Sequence, residues 1–179
     1  MARYLHRTTK QWYDPPVDTG DCGADYIRNP DLSGVAGIPQ SRWIVDGDVV
    51  RAPNAQEAAA FDAAELEAAK LSKMSAIDAR TGYLIESVGL KVNGEYISCS
   101  KAAQQNMMAL ILNDMRGKVT FPRGISATDG GQYQVQDSTD LNRIADLMTA
   151  HVAATLDAGR VLRLQVYNAT TMAGVLAVE

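Results

Sequence analysis

The chain has 179 residues, of which 46% are hydrophobic and 21% are charged, and its net charge is −4. This composition fits one folded domain or a small domain with appendages, and it argues against a wholly disordered chain, a membrane span and binding to nucleic acid through clustered positive charge. Because the start has no apolar signal segment, we expect a protein that is made in a cytoplasm. From the composition and charge, we expect no membrane and no nucleic acid as partners.

Residues 1–42 are interrupted by Pro and Gly too often for a long regular element. They are nevertheless rich in aromatic side chains, which a disordered tail would lack. We therefore predict an extended arm that lays Trp12, Tyr13 and Tyr26 on a surface of its own domain or, as we favour, of a partner. The arm also carries four acidic residues: Asp14, Asp18, Asp21 and Asp25. They lack the alternating spacing of a calcium loop, so no metal site is expected.

A β-hairpin is predicted over residues 43–52, because Asp46-Gly47 supplies two positive-φ residues between β-prone runs. A long helix is predicted over residues 53–88, where Asn54 and Glu57 have the spacing of a capping box.

One face of this helix carries a stripe at intervals of three or four residues: Ala59, Ala63, Leu66, Met74, Ile77 and Leu84. The stripe is narrow, small residues dominate its first half, and Lys70 and Thr81 interrupt it. A single helix with such a face buries little apolar area, and a periodic pattern of this length is typical of a coiled coil or bundle. The six residues are therefore predicted to form an oligomer interface. A helix of an ordinary monomeric domain is the alternative interpretation.

Residues 89–179 are predicted to form a small α+β domain. Its expected elements are a hairpin on Asn93-Gly94, a helix over residues 101–116, a hairpin with strands between Val119 and Val135, one helix over residues 139–167 that continues through Gly159, and a short helix over residues 171–178. The predicted fold class is thus α+β and mostly α, with a long helix in the N-terminal half, short β-hairpins, a helical C-terminal half and an oligomeric coiled-coil seam.

Residues with catalytic potential are few. The two histidines are His6 in the arm and His151 in a helix, where no carboxylate lies three or four residues away. Cys22 and Cys99 are far apart and are expected to be free thiols. No nucleophile elbow, zinc-protease motif, phosphate-binding loop or dinucleotide fingerprint is present. We therefore expect no enzyme activity, no cofactor and no catalytic, cofactor-binding or metal-binding residue.

The run RTGYLIESVGLKVNGEYISCSKAAQQNMMAL, from Arg80 to Leu110, resembles an uncharacterised domain family of bacteriophage virion proteins, often associated with tails or tail fibres. The segment DAGRVLRLQVYNATTMAGVLAV also resembles the end of that family, so the resemblance covers about residues 58–179. Leu90 stands where the family often has an aromatic residue. The resemblance implies a structural component of a phage particle, and it supplies no catalytic motif.

The arm, the helix stripe and the resemblance together indicate a homo-oligomeric virion protein, a trimer, which binds other virion proteins at the tail or baseplate as a fibre, fibre anchor or accessory protein. A capsid decoration protein or head fibre is the alternative within the same class. An intracellular tail-fibre assembly chaperone is the alternative from a different class.

Overall fold

Helices dominate the protein in its computed structural model, which describes residues 3–14 and 23–179. The described residues are about 53% helical and include four α-helices and short antiparallel strand pairs. The predicted α+β, mostly-α class is therefore confirmed. The chain divides into two units, Met1–Glu65 and Leu66–Glu179.

The N-terminal unit contains a small antiparallel sheet. In this sheet β1 (Tyr4–His6) lies between β2 (Trp12–Tyr13) and β3 (Tyr26–Arg28). Two short 3₁₀ turns follow, at Ser33–Val35 and Gln40–Arg42.

The first segment differs from the extended arm predicted for it, because it has an apolar core of its own. Four buried side chains form this cluster: Leu5, Ile27, Val35 and Val50. Strand pairing explains how the cluster forms. Leu5 is paired with both Trp12 and Ile27, so these three side chains lie on the same face of the sheet. The frequent Pro and Gly residues thus separate short strands and turns, which still bury apolar side chains together.

The first predicted hairpin is present as β4 (Ile44–Asp46) and β5 (Val49–Arg51). Of the predicted turn pair, only Gly47 has a positive φ, at 59°, whereas Asp46 is the last residue of its strand. The prediction that both residues adopt positive φ is wrong. Burial gives the physical reason, because this register points Val50 into the apolar cluster, and a shift by one residue would turn it to the opposite face.

The long helix predicted over residues 53–88 is confirmed. α1 spans Ala55–Tyr83 and continues as a π-helical turn over Leu84–Val88. Its predicted capping box is formed, since Asn54 Oδ1 accepts from the Glu57 N–H at 2.9 Å and Glu57 Oε2 accepts from the Asn54 N–H at 2.8 Å. Its role as an oligomerisation helix stays a prediction.

The C-terminal unit continues with two hairpins and three helices: β6 (Leu90–Val92), β7 (Glu95–Ile97), α2 (Lys101–Asp114), β8 (Arg123–Ser126), β9 (Gln132–Val135), α3 (Ser138–Asn168) and α4 (Met172–Leu176). Asn93 and Gly94 form the predicted turn, with φ values of 51° and 93°. Ser100 caps α2 and Asp137 caps α3, both with side-chain oxygens. The strand expected near Val119 begins only at β8.

α3 passes through Gly159 without a break, as predicted. The reason for a glycine inside a helix is a close approach to α1. A Cβ on Gly159 would lie 2.6 Å from Thr81 Oγ1 and 3.4 Å from Thr81 Cγ2. The missing side chain therefore allows the two helices to pack closely at this point, which offsets the lower helix propensity of glycine.

Two apolar clusters form the core of the C-terminal unit. The larger one lies among the hairpins, α2 and the first part of α3: Ile85, Val92, Ile97, Cys99, Met107, Tyr133, Val135, Leu141, Ile144 and Met148. The smaller one joins α1 to the last turns of α3 and to the C-terminal residues: Ile77, Val166, Val175 and Val178. Because the second part of α1 belongs to this core, the unit begins at Leu66, inside the helix, and not at residue 89 where the sequence placed the small α+β domain.

Candidate interaction surfaces

The structure places the six predicted seam residues in three environments: exposed for Ala59 and Ala63, half-buried for Leu66, Met74 and Leu84, and buried for Ile77. Ile77 packs against Val166 and Val175 of its own chain. The second part of α1 therefore has apolar partners within its own chain, from α3 and α4, which the sequence analysis did not predict. The six residues do not form one continuous exposed face, and their role in self-association stays a prediction.

The first part of α1 is held in the N-terminal unit by charged side chains. Arg51 makes a bidentate pair with Glu57, with N–O distances of 2.6 and 2.8 Å. Arg42 pairs with Asp62 at 2.6 Å and with Glu65 at 2.7 Å. The Arg51 guanidinium and the capping hydrogen bond at Asn54 together lower the pKa of Glu57 to about 2. These pairs hold the first turns of α1 at the surface. No residue of α1 before Ile77 is buried, so ion pairs and not apolar packing fix these first turns.

A groove between α1 and α3 is an apolar surface that the sequence analysis missed. Its lining combines residues of both helices: Met74, Asp78, Thr81, Leu156, Gly159, Arg160, Arg163, Leu164 and Tyr167. Leu164 is 59% exposed and Tyr167 is 69% exposed. On α1, Leu71 is 67% exposed and lies one turn before Met74. Only Met74 was among the predicted interface residues.

One ion pair crosses this groove. Arg163 Nη1 lies 2.7 Å from Asp78 Oδ2 and 2.8 Å from Asp78 Oδ1. The pair joins the two helices on the same side as the exposed apolar residues. The signal that could have found the groove is a second apolar stripe on α3, at Leu156, Leu164 and Tyr167, beside the buried stripe that includes Ile144 and Val166.

The three aromatic residues predicted to dock on a partner share one sheet but not one face. Trp12 packs against the apolar cluster of the N-terminal unit, and the Arg3 guanidinium lies 4.4 Å from its ring centroid. Tyr13 follows Trp12 on β2 and so points to the opposite face. There its ring lies 6.0 Å from that of Tyr26, which also makes an edge contact with His6 at 5.0 Å. A docking surface would therefore use Tyr13 and Tyr26 and not Trp12.

The residues weighed for chemistry lie apart. Among residues 3–14 and 23–179, no group of three His, Cys, Asp or Glu side chains could hold a metal ion. Asp18, Asp21 and Cys22 lie outside the described residues. The His151 Nε2 is buried and has no hydrogen-bond partner in the described part of the chain. Burial raises the pKa of the Cys99 thiol, which disfavours the reactive thiolate.

Among the described residues, every helix is either too short or too polar to span a lipid bilayer. The fold is thus that of an α+β protein, and two long helices that pack together, α1 and α3, form the framework of its C-terminal unit. Residues 65–179 match the family described as "Domain of unknown function (DUF4376)", and the chain belongs to this family. The match begins one residue before the C-terminal unit. No curated protein and no solved structure matches the chain.

Proposed function

We propose that the protein is a structural component of a bacteriophage particle. In this proposal it forms a homo-oligomer, a trimer, and attaches to the tail or baseplate as a fibre, fibre anchor or accessory protein. The resemblance of the run from Arg80 to Leu110 to tail-associated virion proteins supports the class. No enzymatic role is proposed.

The single observation that best supports self-association is the apolar groove between α1 and α3. Leu164 and Tyr167 line it and are each more than half exposed. Contiguous exposed apolar surface on a folded protein marks a contact site, because leaving it in water costs free energy that association recovers. A second copy of the chain is the proposed occupant. Met74 connects this surface to the stripe predicted from the sequence.

The N-terminal unit supplies the proposed contact with other virion proteins. Tyr13 is 53% exposed and Tyr26 is half-buried on the sheet face that points away from the apolar cluster. Aromatic side chains are enriched at the centres of interfaces, where they bury much area at low entropic cost. Truncation is a poor test of this contact, since removal of the first strands would also remove Leu5 and Ile27 from the core.

The experiment that tests the proposed function is an analysis of purified phage particles by mass spectrometry, after separation of tails from heads. We expect the protein in the tail fraction at a constant number of copies per particle. Its presence only in the head fraction would favour a capsid decoration protein or head fibre. Its absence from particles, together with its presence in infected cells, would contradict the proposal and favour an assembly chaperone.

A further inference from the structure

A cavity of about 390 Å³ lies within the C-terminal unit and shares no lining residue with the groove between α1 and α3. Its walls come from α2 and from the hairpin of β8 and β9, and Ile97 and Met148 also line it. The volume lies within the range of small-molecule sites, about 300–1,000 Å³.

The base of this cavity is apolar and the rim is polar. Ile97, Met107 and Met148 are buried and line its interior. The rim carries exposed polar side chains from three elements: Asn106 and Asn113 of α2, Arg123 and Ser126 of β8, and Gln132 of β9. An apolar interior with a few convergent polar groups is the usual form of a site for a small organic molecule.

The polar side chains on the rim are free for a ligand. In the part of the chain that the structure describes, the side-chain amides of Asn106, Asn113 and Gln132 make no hydrogen bond. Asn106 and Asn113 are seven residues apart on α2, which places them two turns apart on the same face. These groups therefore have donors and acceptors that no fold contact uses.

The charge of the site comes from Arg123. No carboxylate lines the cavity, and Arg123 has no ion pair among the described residues. Three other arginines of the unit are paired with aspartates of their own chain: Arg143, Arg160 and Arg163. A single unpaired guanidinium beside uncharged amides suits one negative charge, and its planar fork matches a carboxylate.

Gly124 shapes the wall next to this arginine. A Cβ on Gly124 would collide with the side-chain oxygen of Gln132, which lies across the glycine. The absence of a side chain at Gly124 thus allows the Gln132 amide to lie over the glycine at the wall of the cavity. A larger residue would displace that amide without entering the buried core.

We infer that the cavity binds a small organic carboxylate with a short apolar body. The Arg123 guanidinium donates to the carboxylate oxygens, and the amides of Asn106, Asn113 and Gln132 supply further hydrogen bonds at the rim. The apolar body occupies the interior formed by Met107 and its neighbours, where it displaces water from buried surface.

Titrations of the full chain followed by NMR test this inference, with hexanoate, hexanol and hexylamine as probes of one length and different charge. Hexanoate should shift the amide signals of residues 97–98, 123–126 and 132, and hexanol should bind about tenfold more weakly. Equal binding of hexanoate and hexanol, binding of hexylamine in preference, or no binding of hexanoate at these residues would each overturn the inference.

Two variants test whether Arg123 is the positive charge that selects the carboxylate. Arg123→Gln should remove the preference for hexanoate over hexanol, whereas Arg116→Gln should keep it, because Arg116 is exposed and does not line the cavity. Both substitutions change one exposed arginine, so both proteins should fold. Loss of the preference in both variants would show that it depends on the net charge of the protein, and it would contradict a carboxylate site at Arg123.

A free acid and the C-terminal carboxylate of a peptide share this chemistry, so the titration includes an apolar peptide with a free and with an amidated C terminus. Tighter binding of hexanoate than of the free peptide supports the small acid. Tighter binding of the free peptide overturns it in favour of a chain terminus. Gly124→Ala should weaken hexanoate binding while circular dichroism stays unchanged, since it displaces only the Gln132 amide.

Discussion

The two parts of α1 are held by different interactions, although the helix between them is unbroken. Before Leu66, the helix buries no side chain and is fixed by its capping box and by the pairs of Arg42 and Arg51 with acidic residues. After Leu66, it packs Ile77 into an apolar cluster with α3 and α4. The spacing of the stripe, at every third or fourth residue, is the same in both parts. The surroundings of a helix, and not its pattern alone, therefore decide which face is buried.

The substitution expected to have the largest effect is Ile77→Asp. It places a charge without a partner in a buried apolar cluster, which should lower the free energy of unfolding of the C-terminal unit by at least about 3 kcal/mol. Urea denaturation measures this change. Ser75→Asp is the matched control, because Ser75 is exposed on the same helix and should cost little.

The same variant also separates burial within the chain from a seam between chains. If Ile77→Asp kept its stability but dissociated into monomers, then Ile77 would lie at a subunit contact, and the account of the second part of α1 would be wrong.

A smaller effect is expected at the close approach of α1 and α3. Gly159→Ala should destabilise the C-terminal unit by about 1–3 kcal/mol from overpacking, partly offset by the higher helix propensity of alanine, about 1 kcal/mol. Since the added Cβ meets the Thr81 side chain, Thr81→Ala should relieve the clash. The double-mutant cycle, measured by urea denaturation, should give a coupling of about 1 kcal/mol. Strict additivity would show that the helices do not meet at these residues.

The smallest effect is expected in the first part of α1, on acidification. The pKa of Glu57 is about 2, below its ordinary value of 4.5, so the ionised carboxylate stabilises the helix start above that ordinary value. This contribution is lost as the pH falls from 4.5 towards 2. NMR titration of the Glu57 carboxyl carbon should show the low midpoint, and Glu57→Gln should remove the acid dependence of the first-turn amide shifts. A midpoint near 4.5 would show that the pair with Arg51 does not form in solution.

Features set by neighbouring residues could be predicted from the sequence. The capping box at Asn54 and the turn at Asn93 depend on groups only a few residues apart, and the observed geometry matches them. The continuous α3 was predictable because its apolar stripe stays in phase across Gly159. The turn at Gly47 was misplaced by one residue, because its register is set by the burial of Val50 in a cluster that no local pattern shows.

Features set by distant residues could not be predicted. Ile77 packs with Val166, although the two residues lie near opposite ends of the C-terminal unit in the sequence. The periodicity of a helix predicts which face is buried, but not which residues pack against that face. The sequence therefore assigned Ile77 to a second copy of the chain. The polar rim of the cavity was missed for the same reason, since Asn106, Arg123 and Gln132 come from three separate elements.

We propose that the chain self-associates through the groove between α1 and α3, and sedimentation equilibrium at micromolar concentration measures this self-association. Leu164→Glu places a charge on the groove, and Gln165→Glu places the same charge on an exposed neighbour that does not line it. We expect a trimer mass for the natural chain and for Gln165→Glu, and a monomer mass for Leu164→Glu with unchanged circular dichroism. A monomer mass for the natural chain, or a trimer that persists in Leu164→Glu, would contradict it.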